Sequence, residues 1–376
     1  MAKTNSSVSG IVLINKQSGL TSFSSLYAVK KALGTSKVGH TGTLDSFAQG
    51  LLVVCAGNLT RLSSHIVAFD KTYEAVIEFG KETDTLDPEG KVIETASFPS
   101  LKNLTCALQK FSGKIEQMPP SYSALRINGK RASALMRSGE TVELKKRPVC
   151  IYSSQILEIK FDDGSTLSFD DEKKDDGKKI EENQDRKVHF ARIKFEVSKG
   201  TYIRSLARDI GIFCGSRAYL IGLLRTKIGC FELKDAASFE EKTVFTIESV
   251  ISNLNSSVPK ESLEKMMEKI KQKIQPMTPV VAETCGLYPV CITQDNEQNF
   301  INGRPLKKAM FENIHDTTIS ADSVDHNPCI MFAENQKYSV FSKDGIFFGV
   351  ISFEKNRISY EYVIPQNEKK YDIIKI

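Results

Sequence analysis

Residues 37–54 read KVGHTGTLDSFAQGLLVV, and the two halves of this stretch ask for different structures. LLVVC (51–55) is a continuous apolar run, the pattern of a strand buried on both faces. The half before it is a loop, with Gly39, Gly42 and Gly50 around His40 and Asp45. Asp45 is the only acidic residue among the first 69. Two readings of it stand. The carboxylate can close an Asx turn or cap the short SFAQG segment. It can instead serve as a nucleophile or general base, kept ionised by a neighbouring cation.

Working outward, IVLI (11–14) reads as a second buried strand. Thr21 or Ser22 can cap a helix that runs to about Leu33, with Gly34 as its stop. In YEAVIEF (73–79), Tyr73, Ala75, Ile77 and Phe79 share one face, and Glu74 and Glu78 take the other. VHFARIKFEV (188–197) alternates in the same way, the period of a strand. Residues 101–111 and 202–213 read as helices. Strands outnumber helices and the helices are dispersed. The pattern predicts an α+β fold with a mixed or antiparallel sheet, not a regular βαβ array.

At 376 residues the chain is long enough for one large domain or two to three smaller ones. Residues 10–250 are expected to form the main domain. Residues 161–187 carry ten acids and six bases, with almost no apolar content after Phe169. Such a segment cannot bury enough surface to fold alone, and it reads as a disordered hairpin extension. Residues 251–279 include a Lys/Glu-rich stretch expected to form a linker helix. Beyond them, LYPVCI, FINGRPL and YSVFSKDGIFFGVISF, turning at Gly345, suggest a small β domain over 280–376.

Composition excludes several functions. There is no apolar run of 18 or more residues, so no transmembrane helix is expected, and MAKTNSSVSG lacks the apolar core of a secretory signal. The expectation is a cytoplasmic protein. The eight cysteines form no CxxC pair and sit mostly in apolar runs, as small buried hydrophobes do in a reducing compartment. The five histidines do not cluster into a metal site. His65 and His189 read as core residues, and His315 and His326 as loop residues. Neither GxGxxG nor GxxxxGK[ST] occurs, so a dinucleotide or nucleoside triphosphate is not expected. Chemistry must come from ordinary side chains, without a cofactor.

A cation for Asp45 is available in SKGTYIRSLARDIG (198–211). On a helix starting near Thr201, Arg204 and Arg208 share one face, while Leu206 and Ile210 face the core. By itself this is also the pattern of a capped amphipathic helix with surface arginines. Residues 126–147 carry seven Lys and Arg against two acids, either a solvated basic loop or a phosphate-binding face. The whole chain is only mildly basic, at +5.

The segments GIVLINKQSGLTS (10–22), KVGHTGTLDSFAQGLLVVCAGNLTRL (37–62), KTYEAVIEFGKETDTLDPEG (71–90), PPSYSALRINGKRASALMRSGETVELKKRPV (119–149), SKGTYIRSLARDIG (198–211) and LLRTKIGCF (223–231) resemble, in order and spacing, the motifs of the TruB family of tRNA pseudouridine synthases. The resemblance implies a pseudouridine-synthase-like sheet with flanking helices and a PUA-like C-terminal β domain. It implies a catalytic Asp45, and a His40 that helps the target base leave the RNA stack. It implies a Tyr73 that stacks on the flipped uracil and can take its C5 proton. It pairs Arg204 with Asp45, makes Tyr202 an active-site residue and sets Leu223 against the base. Residues 124–149 then correspond to a thumb that pins the T-loop, with Arg126, Lys130, Arg131 and Arg137 at phosphates. Lys16, Lys30, Lys31 and Lys37 are further candidates for contact with the RNA.

The chemistry is compatible with those roles. Breaking N1–C1′, turning the uracil and joining C5 to C1′ exchanges no electrons, so no redox cofactor is needed. A carboxylate must attack C1′ or take a proton from the sugar to give a glycal; the sequence leaves both routes open. The target base must first be flipped out. The chain departs from the family pattern at Gln17 and Ser46, where proline is usual, and at Leu224, where arginine is usual. The long SALRINGKRASALMRSGE segment and the absence of long basic tails match the bacterial standalone branch, which modifies the T-arm uridine at position 55. The expected partner is therefore tRNA, with no protein partner, no membrane and a monomeric state.

Overall fold

The computed structural model describes residues 8–123, 125–127, 129–138, 144–169, 176–237, 244–254, 262–313 and 332–365. The strands are β1 Gly10–Lys16, β2 Val38–His40, β3 Gln49–Ala56, β4 Lys71–Phe79, β5 Lys81–Thr83, β6 Val92–Thr95, β7 Gly113–Gln117, β8 Arg126–Ile127, β9 Lys130–Arg131, β10 Arg147–Phe161, β11 Thr166–Ser168, β12 Val188–Val197, β13 Ala218–Ile228, β14 Phe231–Glu232, β15 Tyr288–Ile292, β16 Phe311–Asn313, β17 Gln336–Phe341, β18 Phe347–Glu354 and β19 Arg357–Val363. The α-helices are α1 Ser22–Leu33, α2 Ser63–Val67, α3 Leu101–Lys110, α4 Ala132–Arg137, α5 Asp176–Glu182, α6 Ile203–Phe213, α7 Ile247–Leu254, α8 Leu263–Lys273, α9 Pro279–Thr284 and α10 Glu297–Ile301.

The main sheet runs β1-β3-β13-β4-β12-β10-β11, with β2 added at β3, β14 at β13 and β7 at β10. All its pairings are antiparallel except the short parallel contact of β13 with β3, at Leu224↔Gln49 and Arg225↔Gly50. That contact joins two antiparallel halves, so the sheet is mixed, as the strand pattern predicts. The joint is close. A Cβ on Gly50 would lie 2.4 Å from the Arg225 carbonyl oxygen, and Gly50 has φ +110, so only glycine fits there. The loop carrying Asp45 enters β3 at this point.

Each face has its own cover. Tyr73, Ala75, Ile77 and Phe79 of β4 and Ile193, Phe195 and Val197 of β12 pack with α3 and α6. Helix α1 begins where expected: Thr21 Oγ1 accepts from the Ser24 amide at 3.0 Å, and Gly34 ends the helix at φ +62. Leu26, Val29 and Leu33 of α1 seat on Val12, Ile14 and Val54. The helix expected as a linker, α8, sets Met266, Met267 and Ile270 against this same cluster. Gln275 then exchanges two backbone hydrogen bonds of 2.8 Å with Ile11, on the open edge of β1.

The C-terminal sheet has the order β16-β15-β17-β18-β19 and an aromatic core containing Phe300, Phe311, Phe332, Phe348 and Phe353. Gly345 lies in the β17–β18 turn at φ +77. Phe341, Phe347, Val350 and Ile364 pack with Ile11, Leu13 and Leu51, so the two sheets share a core cluster.

Residues 161–169 and 176–187 correct the expectation of a disordered extension; 170–175 lie outside the described residues. The segment does form a hairpin, β10 with β11. It is also pegged down. Phe161 and Phe169 are buried, and Leu167 and Ile180 pack against the same cluster as Phe195. The backbone carbonyls of Arg186 and Gln184 accept from Leu101 and Lys102 at the start of α3. Arg186 stacks over the Phe161 ring at 3.7 Å and pairs with Asp163 at 2.6 Å. Its high average charge conceals apolar residues spaced to reach the sheet.

Cys55, Cys214, Cys285 and Cys291 are buried, whereas Cys106 and Cys230 are exposed. His65 is half-buried with Nε2 2.6 Å from the Cys285 carbonyl, and His189 is half-buried beside Glu78. His315, His326 and Cys329 lie outside the described residues. Among the described residues no helix is long and apolar enough to cross a membrane.

Candidate active site

Asp45 and Arg204, 159 residues apart in sequence, meet at the sheet joint. Arg204 Nη2 donates to Asp45 Oδ1 at 3.0 Å, and Nε lies 2.9 Å from Oδ2. Both carboxylate oxygens thus face one guanidinium edge side-on, Oδ1 through a hydrogen bond and Oδ2 through charge alone. The arginine is buried, its side chain 5% exposed, whereas the Asp45 side chain remains 35% exposed. The carboxylate is held from behind and open in front.

Arg204 is not a surface arginine of an amphipathic helix. It lies in the first turn of α6 and turns inward with Ile203, Leu206 and Ala207. Its Nη1 donates to Asp87 Oδ2 at 3.0 Å and to the Thr85 carbonyl at 2.8 Å. Its Nη2 also donates to the Tyr122 carbonyl at 2.9 Å, shortly before β8. Nearly all of the guanidinium's bonding capacity is therefore used, which makes its burial tolerable. Arg208, by contrast, is half-buried and caps the Met118 carbonyl at 3.2 Å.

Asp87 was not singled out by sequence reasoning. It sits in a turn in which Leu86 adopts φ +61, and it accepts from Thr85 Oγ1 at 2.6 Å and from the Glu89 amide at 3.1 Å. Burial raises its carboxyl above the usual range, opposed by the Thr85 hydroxyl and Arg204. The signal available in sequence was the polar run TDTLDPEG, whose composition fits a turn equally well.

The 41–50 loop is fastened by side chains from other segments. Ser22 Oγ donates to the Leu44 carbonyl at 3.0 Å and accepts from the Leu44 amide at 2.8 Å. Ser18 Oγ donates to the Phe47 carbonyl at 2.8 Å, and the Gly19 amide donates to the Ser46 carbonyl at 2.8 Å. Arg225, 1% exposed, donates to the carbonyls of Leu51 at 2.8 Å and Gly42 at 3.1 Å. The segments 10–22 and 223–231 therefore act largely as clamps on the Asp45 loop. Ser46, where the family has proline, bonds Glu89 and ties the loop to the Asp87 turn. Leu224, where the family has arginine, packs as a half-buried apolar side chain.

Lys16, expected at the RNA, is 1% exposed. Its Nζ donates to the Ala48 carbonyl at 2.5 Å and to those of Ser46 and Gln17 at 3.2 Å. Burial lowers its ammonium to about 8, while Asp45 pulls the other way. The structure thus gives Lys16 the work of a clamp beneath the loop.

Tyr73 and Leu223 lie in the cluster that also holds Leu44 and Ala48. Both are nearly buried, on adjacent strands β4 and β13. His40 ends β2, with its Nδ1 3.4 Å from the Gly42 amide. Tyr202 precedes α6, and the Gln117 side chain accepts from its amide at 2.9 Å and donates to its carbonyl at 3.1 Å. Burial raises the Tyr202 phenol, opposed by the Ser123 hydroxyl, Arg147 and Arg204. Gln117, 1% exposed, is a second positioning residue with no periodic signal in the sequence.

Of the residues expected at phosphates, Arg126 and Arg131 are cross-strand neighbours in the β8–β9 hairpin, and Lys130 pairs with Ile127. The side chains of Arg126, Lys130 and Arg131 lie outside the described set. Arg137 is exposed at the end of α4.

Comparison with known proteins gives the family. The family model described as the N-terminal domain of TruB family pseudouridylate synthases matches residues 30–203. A tRNA pseudouridine synthase B from Treponema denticola is 42% identical over 94% of this chain and 98% of its own. Another from Borreliella burgdorferi is 40% identical over 65% of this chain and 79% of its own. Among solved structures, a chain of a Cbf5–Nop10–Gar1 complex shares the fold at TM-score 0.55 and 19% identity, covering 94% of this chain and 84% of that one. The chain belongs to the TruB family of pseudouridylate synthases.

Proposed function

We propose that this enzyme converts uridine to pseudouridine at position 55, in the T-arm loop of tRNA, with Asp45 as its essential carboxylate and no cofactor. The observation that carries the reading is a half-open carboxylate gripped side-on by a buried arginine. The names of its relatives, tRNA pseudouridine synthase B, supply the substrate class.

In this reading the T-loop uridine is flipped into the space before Asp45. Asp45 then attacks C1′, or takes a proton from the sugar to leave a glycal, and N1–C1′ breaks. The freed uracil turns between Tyr73 and Leu223 until C5 meets C1′. The C5–C1′ bond forms as the Asp45–C1′ bond breaks or, on the glycal route, as Asp45 returns the proton to the sugar; C5 then gives up its own proton with Tyr73 as the candidate acceptor, and N1 gains one. Arg204 keeps Asp45 aimed at the sugar, through its hydrogen bond to Oδ1 and its charge beside Oδ2. His40 fills the gap left by the base, and Tyr202 lines the pocket. Arg126, Lys130, Arg131 and Arg137 hold phosphates, and their neutralisation weakens binding and flattens its salt dependence.

The test is incubation of the purified chain with a tRNA transcript and with the isolated T-arm, followed by mapping of pseudouridine. Modification at position 55 of both RNAs, without added protein, metal or cofactor, is the expected result. Modification at another position, or only with a guide RNA or partner protein, would overturn it.

A further inference from the structure

Helix α1 buries Leu26 and Val29 but leaves Phe23 71% and Tyr27 53% exposed. Residues four apart share a helix face, so the two rings form one stripe. Two lysines lie on it. Lys30 Nζ sits 4.8 Å from the centre of the Phe23 ring, and Lys31 Nζ 5.7 Å from that of Tyr27. The helix contains no acidic residue, and neither do the residues from Gly34 to Leu44.

The position of the stripe connects it to the active site. Phe23 follows Ser22, whose hydroxyl holds the backbone of Leu44, the residue before Asp45. From Phe23 to Lys31 the stripe extends about 12 Å along the helix axis, at 1.5 Å per residue. It starts at the wall of the Asp45 loop and leads away from it.

Exposed rings interleaved with cations, on a helix with no acidic residue of its own, suit a ligand that brings both π faces and negative charge. Unpaired RNA has both: bases stack on aromatic side chains and phosphates pair with lysine. A protein surface matching this stripe would need acidic groups in register with apolar ones, a more demanding pattern than any single strand presents.

We infer that Phe23, Tyr27, Lys30 and Lys31 form a stacking platform for unpaired nucleotides next to the flipped uridine. In the free protein each ammonium lies over a ring, a weak contact at an exposed site. On binding, a base takes the ring face and the ammonium moves to a phosphate. The inference rests on the RNA-modifying reading of the Asp45 site and names a second contact for that substrate.

The test compares the full-length wild type with Phe23→Ala/Tyr27→Ala, measuring tRNA affinity, pseudouridine formation at saturating tRNA and the thermal midpoint. The double variant should bind about tenfold more weakly or worse, the size of one base stack removed. It should keep its turnover at saturation and its midpoint. On tRNA whose nucleotides flanking the target are abasic, wild type and variant should converge. Lys30→Gln/Lys31→Gln should reduce the slope of log K against log salt, by up to about 0.7 for each single-strand phosphate that no longer meets a lysine. Wild-type affinity in the aromatic variant, or a penalty that persists on abasic RNA, would overturn the platform. So would a wild-type dimer that the same variant splits while RNA affinity holds, since the rings would then belong to a second copy. A wild type that neither binds nor modifies tRNA would instead sink the enzymatic reading beneath it.

Discussion

The Asp45 loop and the 161–187 hairpin are both irregular connections on the same sheet, and they are fixed by opposite means. The loop is held by polar side chains reaching backbone groups: Lys16, Ser18, Ser22 and Arg225 all donate to its carbonyls. The hairpin is held by apolar side chains reaching the core: Phe161, Leu167, Phe169 and Ile180. Hydrogen bonds are directional and fix a position; burial is non-directional and fixes only attachment. A carboxylate with the proposed task of meeting a reacting carbon needs the first kind of restraint, and a surface hairpin needs only the second. The contrast predicts that substitutions in the loop register in turnover, and those in the hairpin register in stability.

Asp45→Asn should have the largest effect. The amide keeps the shape and the turn, but can neither attack C1′ nor accept a sugar proton. Pseudouridine formation should fall by on the order of 10⁴-fold or more, the scale seen when an essential catalytic group is removed. tRNA affinity and the thermal midpoint should stay near wild type, because phosphate contacts made elsewhere supply most binding. Activity within tenfold of wild type would place the chemistry on another residue.

Arg204→Met comes next and should touch both readouts. It strips Asp45 of its partner and leaves Asp87 buried with its main cation gone. Breaking a buried ion pair from one side costs about 3–5 kcal/mol, and a carboxylate misplaced by about 1 Å costs roughly 10²-fold in rate. Full stability with full loss of activity would show that Asp87 does not depend on Arg204.

Phe169→Ala in the hairpin should cost about 3 kcal/mol of stability, the low end for a buried phenylalanine, and leave kcat unchanged. Equilibrium denaturation and a turnover assay on the same preparation decide it. A variant as stable as wild type would return the segment to the disordered extension that its composition suggests.

How far the sequence carried the reading follows from the same contrast. The strands β1, β3, β4 and β12 and the helices α1, α3 and α6 were legible because hydrophobic period records which face is buried. The Asp45–Arg204 pairing was legible through the motifs that contain the two residues. The hairpin was misjudged because average charge does not register where a few apolar residues sit. Asp87, Gln117 and Arg225 were invisible as positioning groups. Their partners are backbone atoms or a guanidinium more than 80 residues away, and nothing local encodes such a pairing. Lys16 was legible as important, but its direction was not: only the fold shows that its ammonium points down at carbonyls instead of out at phosphate.

Lys16→Met separates those two directions. A phosphate contact would weaken tRNA binding, reduce its salt slope and leave stability alone. A buried clamp gives another result. Methionine fills the space but leaves the Ala48 carbonyl without its donor, at a cost of about 1–3 kcal/mol, partly offset because no ammonium is then buried. The pH dependence is the sharper measurement. In the folded chain Lys16 titrates at about 8, against 10.5 for an ordinary lysine. Below pH 8 both states carry the proton and the burial penalty is present in full. Between pH 8 and 10.5 the unfolded chain holds a proton that the folded chain has released, so stability rises with pH. Over that window the wild type should gain up to about 3 kcal/mol relative to Lys16→Met, at 1.36 kcal/mol per pH unit. Lys71 is also lowered to about 8, but it is present in both proteins and drops out of the difference. A stability difference between wild type and variant that stays flat from pH 7 to 10.5 would mean that Lys16 is not buried as a charge, and would return it to the RNA.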